Sequence, residues 1–184
     1  MYYWYILSHF TIFGANIINM TKTIILTDKD IANKIRRIAF QIYEVNAQEK
    51  DIIIAGIDKK GYLLAERIAS VLQDISNLKI SLCRVKVNKK TPLDVVTSSL
   101  ESKDYKNKSI ILIDDVLNSG STLMYGVKHF LEVPIKQLKT AVLVDRNHKK
   151  YPIKVDFKGV SLSTSLQDTV EVVFSKNKDM AYLE

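Results

Sequence analysis

Two adjacent acids, Asp114 and Asp115, stand directly behind the apolar run Ile110, Ile111, Leu112 and Ile113, and a small polar stretch, Asn118, Ser119, Gly120, Ser121 and Thr122, follows. Paired carboxylates suit sugar hydroxyls or a hydrated divalent cation, because both ask for hard, charged acceptors. A glycine among hydroxyl side chains at the start of a helix offers backbone N–H groups and O–H donors, a seat for a phosphate. Acids beside such a seat describe a sugar phosphate better than a free base. Two other apolar runs also end in charge: DIIIAGI leads into Asp58, Lys59, Lys60 and Gly61, and residues 140–144 lead into Asp145 and Arg146. Each stretch alone has a bland reading as a solvated turn, a strand end or a helix cap. Together, along one edge of a parallel sheet, they make a site for a ligand with phosphate at both ends of a sugar.

The elements that must hold these residues are legible in the spacing of apolar positions. Residues 23–26 form a short apolar run, and Thr27 with Asp30 three residues later reads as a capping box. Ile31, Ile35, Ile38 and Ile42 then mark the buried stripe of a helix, with Lys34, Arg36 and Arg37 mostly off it. Residues 51–56 read as a buried strand, and Leu63, Leu64, Ala65, Ile68, Ala69 and Leu72 as a second amphipathic helix. Residues 80–87 predict a strand whose wetter face carries Arg84 and Lys86. Residues 88–108, with Pro92 and SSLESKD, predict loop rather than helix, serving either as a connection or as a cover over the ligand. Residues 110–113 form a strand ending at the acids, residues 123–131 a helix, and residues 140–144 another strand. Residues 155–160 and 170–174 give two late strands. This alternation predicts an α/β fold: a mainly parallel open sheet with helices on both faces and a small β-rich C-terminal flap.

The 184 residues, 47% hydrophobic, suffice for one good core, so residues 20–184 are expected to form a single domain. Residues 1–19 are set apart: aromatic and branched apolar side chains predominate, and Lys, Arg, Asp and Glu are absent. Polar interruptions and the lack of a basic leader argue against a signal peptide and against stable membrane association. The ordinary reading is an atypical apolar extension upstream of a folded unit that starts at Met20; an added packing segment is the alternative. A net charge of +7 favours anionic partners such as nucleotides, pyrophosphate or RNA. Cys83 is the only cysteine, which excludes intrachain disulfides and cysteine-rich zinc sites and fits a cytoplasmic location. His9, His129 and His148 are too scattered in sequence to suggest a metal cluster.

Several nucleotide and hydrolase classes are excluded by pattern. Neither a GxxxxGK[ST] phosphate loop nor a GxGxxG dinucleotide fingerprint is present. Ser119 lacks the GxSxG setting of a hydrolase nucleophile.

Residues 111–122, ILIDDVLNSGST, resemble the phosphoribosyl diphosphate signature of type I phosphoribosyltransferases, and IIIAGIDKKGYLLAERIA supplies the partner strand and loop. Within that family, AVLVDRNHKKYPIKVDFKG and SLSTSLQDTV are most similar to the bifunctional pyrimidine-operon attenuator and uracil phosphoribosyltransferase branch. The resemblance spans residues 22–174. It implies transfer of a 5-phosphoribosyl group from phosphoribosyl diphosphate to a nucleobase, a pyrimidine such as uracil, with Mg2+ as cofactor and pyrophosphate as product. It implies that Asp114 and Asp115 hold the ribose hydroxyls near magnesium, and that Asn118, Ser119, Gly120, Ser121 and Thr122 cradle the 5-phosphate. Asp58, Lys59, Lys60 and Gly61 are implied to contact pyrophosphate, and Asp145 and Arg146, with the late flap, to border the base. A homodimer or higher homo-oligomer is expected.

The chain departs from the branch in three places. Ser119 replaces a Thr and keeps the hydroxyl. Ser121 stands where the branch usually has Arg, which removes a cation facing phosphate or RNA. The segment between Val87 and Ser109 is much shorter than the usual catalytic flap and lacks its Tyr-Arg-Asp-Asp sequence, so water is excluded less well. These departures weaken the case for full activity and leave open a second class: a non-catalytic nucleotide-sensing or RNA-binding regulator on the same fold. Its support is the +7 charge with Arg36, Arg37 and the basic stretch from His148 to Lys150.

Overall fold

The computed structural model describes residues 22–88, 95–165, 168–175 and 178–184. The expectations for residues 1–19 and for Pro92 lie outside these.

Strand β1 (Thr23–Leu26) leads into helix α1 (Asp28–Val45), whose start is fixed by the anticipated box. The Asp30 carboxylate accepts from the Thr27 N–H at 3.0 Å, and the Thr27 hydroxyl oxygen accepts from the Asp30 N–H at 3.3 Å. Strand β2 (Asp51–Ile57), helix α2 (Lys60–Ile75) and strand β3 (Lys79–Lys86) follow. After the short pieces β4 (Thr97–Ser98) and α3 (Ser102–Tyr105) come strand β5 (Ser109–Leu117) and helix α4 (Ser121–Phe130). Strands β6 (Gln137–Asp145), β7 (Phe157–Ser161), β8 (Val170–Val173) and β9 (Met180–Leu183) complete the described chain.

The larger sheet has the order β4-β3-β2-β5-β6-β7, parallel except for β4. Its strands alternate side chains to two cores. Ile52, Ile54, Ile111 and Ile113 meet the α1 and α2 stripes, whereas Ile53, Ala55, Ile110 and Leu112 meet Leu123 and Phe130 of α4. Helices therefore cover both faces, as the apolar spacing predicts. From β2 the chain steps outward to β3, then returns to lay β5 on the other side of β2. That reversal, between β2 and β5, is where open α/β sheets form a crevice beyond the carboxyl ends of their strands.

Four expectations need correction. Strand β5 does not stop at the acids but runs through Asp114 and Asp115 to Leu117, and all nine of its residues are buried. Helix α4 starts at Ser121, so the turn proper is only Asn118 to Gly120. The segment expected to be loop contains β4 and α3. Here the Asp104 carboxylate accepts from the Glu101 N–H at 2.9 Å, while buried Tyr105 packs edge-on to Phe130 at 5.0 Å. The last correction concerns the late strands. Phe157–Ser161 extends the main sheet in parallel, and only Val170–Val173 belongs to the small flap. That flap is an antiparallel sheet of order β1-β9-β8, joining the first described strand to the last. Among the described residues, no helix is long and apolar enough to cross a membrane.

Candidate active site

At the carboxyl end of β5, Asp114 is 4% exposed and Asp115 7% exposed, so both carboxylates sit in a largely water-excluded place. The Asp115 N–H donates to Asp114 Oδ1 at 3.0 Å, which sets the orientation of the first acid from the backbone of the second. The acids open on different cavities. Asp114 lines a space of about 210 Å³ together with the loop Asn118, Ser119 and Gly120 and with Ser121 and Thr122 of α4. Asp115 lines a space of about 430 Å³ shared with Asp58, Lys59, Lys60, Val87 and Val170. Val116 and Asn118 belong to both walls, so the two spaces adjoin along the end of β5.

The smaller cavity has the makings of a phosphate seat. The first helical hydrogen bond of α4 runs from the Met124 N–H to the Gly120 carbonyl at 3.0 Å, so the N–H groups of Ser121, Thr122 and Leu123 precede the helical ladder. Gly120 caps the helix with φ at +83°, a backbone region costly for other L-residues. A Cβ there would also fall 2.6 Å from Ile153 Cγ2. The loop is held from below, because the Ser119 carbonyl accepts from the N–H groups of Lys150 and Tyr151 at 2.8 and 3.1 Å.

The larger cavity is bounded by the turn between β2 and α2. Lys59 takes φ +58° and ψ −96°, an unfavourable conformation for a residue with a Cβ, and its N–H donates to Asp58 Oδ1 at 2.8 Å. The turn is therefore strained where it borders the cavity that Asp115 also lines. Gly61 permits the approach: a Cβ there would lie 2.9 Å from the Ile113 carbonyl oxygen and 3.0 Å from Asp114 Cα. Lys60 carries its ammonium to Glu171 of β8 at 3.3 Å, and Lys22 shares that carboxylate at 3.3 Å. Both lysines hold the Glu171 carboxyl below its ordinary range, the Lys60 hydrogen bond contributing most. Nothing local in the sequence links Glu171 to Lys60, and only the antiparallel flap brings them together.

Asp58, Lys59, Lys60 and Gly61 thus meet Asp114, Asp115 and the loop residues at one place. Asp145 and Arg146 do not line either cavity. Asp145 is fully buried, with Oδ1 accepting from the Asn147 N–H at 3.1 Å and Oδ2 paired to Lys158 at 3.2 Å and Lys149 at 3.5 Å. Burial alone would push its carboxyl up, but these donors outweigh it and hold the group below the ordinary carboxylate range. Arg146 reaches the loop between β5 and α4, its guanidinium donating to Asn118 Oδ1 at 2.9 Å and to Thr164 Oγ1 at 3.2 Å.

Residues 22–175 match the phosphoribosyl transferase domain. The chain belongs to the phosphoribosyl transferase family. Relatives of this phosphoribosyl transferase include the bifunctional protein PyrR of Macrococcus caseolyticus, 32% identical over 87% of this chain and 96% of that protein. The bifunctional protein PyrR of Clostridium novyi is 34% identical over 84% of this chain and 92% of that one. In fold, the chain is similar to the hypoxanthine phosphoribosyltransferase of Trypanosoma cruzi, with a TM-score of 0.69 at 15% identity, covering 87% of this chain and 95% of that one. A hypoxanthine phosphoribosyltransferase from Staphylococcus aureus gives a TM-score of 0.66 at 20% identity, covering 78% and 79%. The type I phosphoribosyltransferase architecture expected from residues 111–122 is therefore the architecture of the chain, and the PyrR branch fits it.

Among the described residues, no three His, Cys, Asp or Glu side chains converge on a metal site. Magnesium does not need one, since it keeps several waters and is commonly held by one or two carboxylates together with substrate oxygens. The cavity-lining pair Asp114 and Asp115 has the donor chemistry for that arrangement.

Proposed function

We propose that this phosphoribosyl transferase moves the 5-phosphoribosyl group from phosphoribosyl diphosphate to a ring nitrogen of a pyrimidine, with uracil the preferred candidate. The observation that carries the reading is the pair of adjoining cavities divided by Asp114 and Asp115. In this assignment the 5-phosphate sits on the Ser119 to Thr122 donors, the ribose hydroxyls face the acids, and the diphosphate lies against the strained Asp58 to Gly61 turn. The sugar–diphosphate C–O bond breaks, a C–N bond forms to the base, the base nitrogen gives up its proton, and pyrophosphate leaves. Positive charge grows on the sugar as that bond weakens, so the work of the chain is to orient the partners and to stabilise separating charge. The buried acids face the developing cation, and Lys59 and Lys60 line the space for the departing anion, Lys60 with its ammonium shared with Glu171. Magnesium, held by Asp114 and Asp115 through substrate hydroxyls or water, would supply charge neutralisation for the diphosphate.

A second reading has its own observation. Arg36 on the outer side of α1 and Lys150 beyond β6 are exposed, and His148 and Lys149, which precede Lys150 directly, are half-buried. With relatives named bifunctional, this supports RNA binding by a regulator of pyrimidine genes, on a homodimer or higher homo-oligomer. The deciding experiment measures pyrophosphate release from phosphoribosyl diphosphate with magnesium, across uracil, orotate, hypoxanthine, guanine, xanthine and adenine. Base-dependent turnover establishes the transferase and names its base. Saturable binding of phosphoribosyl diphosphate without turnover across all six bases overturns the catalytic reading in favour of a sensor.

A further inference from the structure

Arg146 follows the acid that ends β6, yet its side chain reaches neither cavity directly. It is 7% exposed and spends its fork on four oxygens from two separate loops. One nitrogen donates to Asn118 Oδ1 at 2.9 Å, on the loop between β5 and α4. The others donate to Thr164 Oγ1 at 3.2 Å, to the Ser165 carbonyl at 3.2 Å and to the Asp168 carbonyl. Two of the residues carrying those acceptors are tied to each other, with the Ser165 N–H donating to Asp168 Oδ2 at 2.7 Å and the Asp168 N–H to Ser165 Oγ at 3.3 Å. Two residues beyond Asp168, Val170 forms part of the wall of the larger cavity, and Asn118 belongs to both walls. One guanidinium therefore ties the loop between β5 and α4 to Thr164, Ser165 and Asp168, just ahead of the opposite wall.

We infer that Arg146 is a positioning residue that couples the 5-phosphate loop to Thr164, Ser165 and Asp168, ahead of β8. The assignment rests on the transferase reading for the identity of the ligand, though the mechanical link does not. Its four acceptors are neutral oxygens, so the charge of the guanidinium is not cancelled by them and adds to the positive potential behind the phosphate seat. The planar fork matters separately from the charge, because a lysine ammonium cannot hold both loops in one geometry. When phosphate settles on the loop, Asn118 is fixed, and through Arg146 so are Ser165 and Asp168 before Val170. Occupancy of one cavity then tightens the wall of the other.

Arg146→Gln is expected to raise KM for phosphoribosyl diphosphate by about tenfold or more, the scale of a lost hydrogen bond to a charged group. It should raise KM for the base as well. Arg146→Lys should recover part of the first effect and none of the second. Because a buried arginine can be needed for folding, Asn118→Ala serves as the second variant. It leaves the guanidinium in place but cuts the link to the phosphate loop. Hydrogen exchange in the full chain, with inorganic phosphate as the probe, then reads the link without turnover. Phosphate, at a concentration shown by titration to saturate each protein, should slow exchange at the Ser165 and Asp168 amides in the wild type and fail to do so in Asn118→Ala. Equal slowing in both proteins, or none in the wild type, overturns the coupling. Loss of turnover in the wild type with the phosphate-linked protection intact overturns the transferase reading instead.

Discussion

The carboxyl ends of β5 and β6 look alike in sequence and behave in opposite ways. Each is a run of buried aliphatics followed by charge: Asp114 and Asp115 after residues 110–113, Asp145 and Arg146 after residues 140–144. They are neighbours in the sheet, running parallel, with Leu117 level with Asp145. At β5 the two carboxylates face two adjoining cavities. At β6 the carboxylate is closed off by two ammoniums and a backbone N–H, and the arginine is consumed by loops on either side. One strand end lines cavities with its carboxylates, while the other pairs its carboxylate within the protein. The difference comes from what the next segment supplies: small residues and a helix start after β5, lysines after β6.

The contrast predicts where substitution separates function from folding. Replacing both Asp114 and Asp115 by Asn should give the largest effect on chemistry. Loss of the two charges at the site of a developing cation is expected to cost about 10³-fold or more in kcat/KM, the scale of removing an electrostatic stabiliser. The fold should be spared, because Asn keeps the shape of Asp and its amide oxygen at position 114 can still accept from the residue 115 N–H. Steady-state rates beside thermal melting check this. Near-normal turnover, or collapse of the fold, would break the distinction between the two strand ends.

Asp145→Ala should show the reverse. Removing a fully buried carboxylate strands Lys158, Lys149 and the Asn147 N–H, at a cost of about 2–4 kcal/mol. Denaturant unfolding measures that loss directly. The acid side sharpens it further. The folded carboxyl titrates below its unfolded value, so the stability it lends is complete above the ordinary value of 3.8 and is lost as pH falls through the folded one. The wild type and the alanine variant should therefore converge in stability as the pH drops below about 3.8, and a constant gap across that range would refute the ion-pair account.

How much of this was legible beforehand follows a physical line. The alternation of elements, the Thr27 cap and the clustering of the β2 and β5 ends are consequences of local periodicity and of parallel topology, so the residues announce them. The extent of β5 past Asp115 was not legible, because composition alone ends a strand at two acids, whereas neighbouring β6 continues the ladder to Leu117 and the carboxylates line cavities at the strand end. The β1-β9-β8 sheet was missed for a different reason: Thr23 pairs with Leu183, and no local signal reports a partner at the other end of the chain. The same distance hides Glu171 from Lys60 and Thr164 from Arg146. Helix α3 did leave a trace in the Glu101 and Asp104 spacing, but four residues are too few for a hydrophobic stripe to show.

The finest test divides the lysines that close off Asp145. Lys158 comes from the neighbouring strand β7 and lies 3.2 Å away, while Lys149 comes from the loop four residues on and lies 3.5 Å away. Lys158 sits on a strand already fixed by pairing to β6, so little further ordering is needed to place its ammonium. Lys149 sits nearer the carboxylate in sequence, but its loop must be ordered to deliver the charge. Both ammoniums keep some contact with water, so each single substitution should cost no more than about 1 kcal/mol. Lys158→Met should cost more than Lys149→Met, and it should move the acid loss of stability to higher pH by returning the Asp145 carboxyl toward its ordinary value. If Lys149→Met is the more damaging, the loop rather than the strand closes the end of β6. The contrast with β5 would then lie in loop sequence alone.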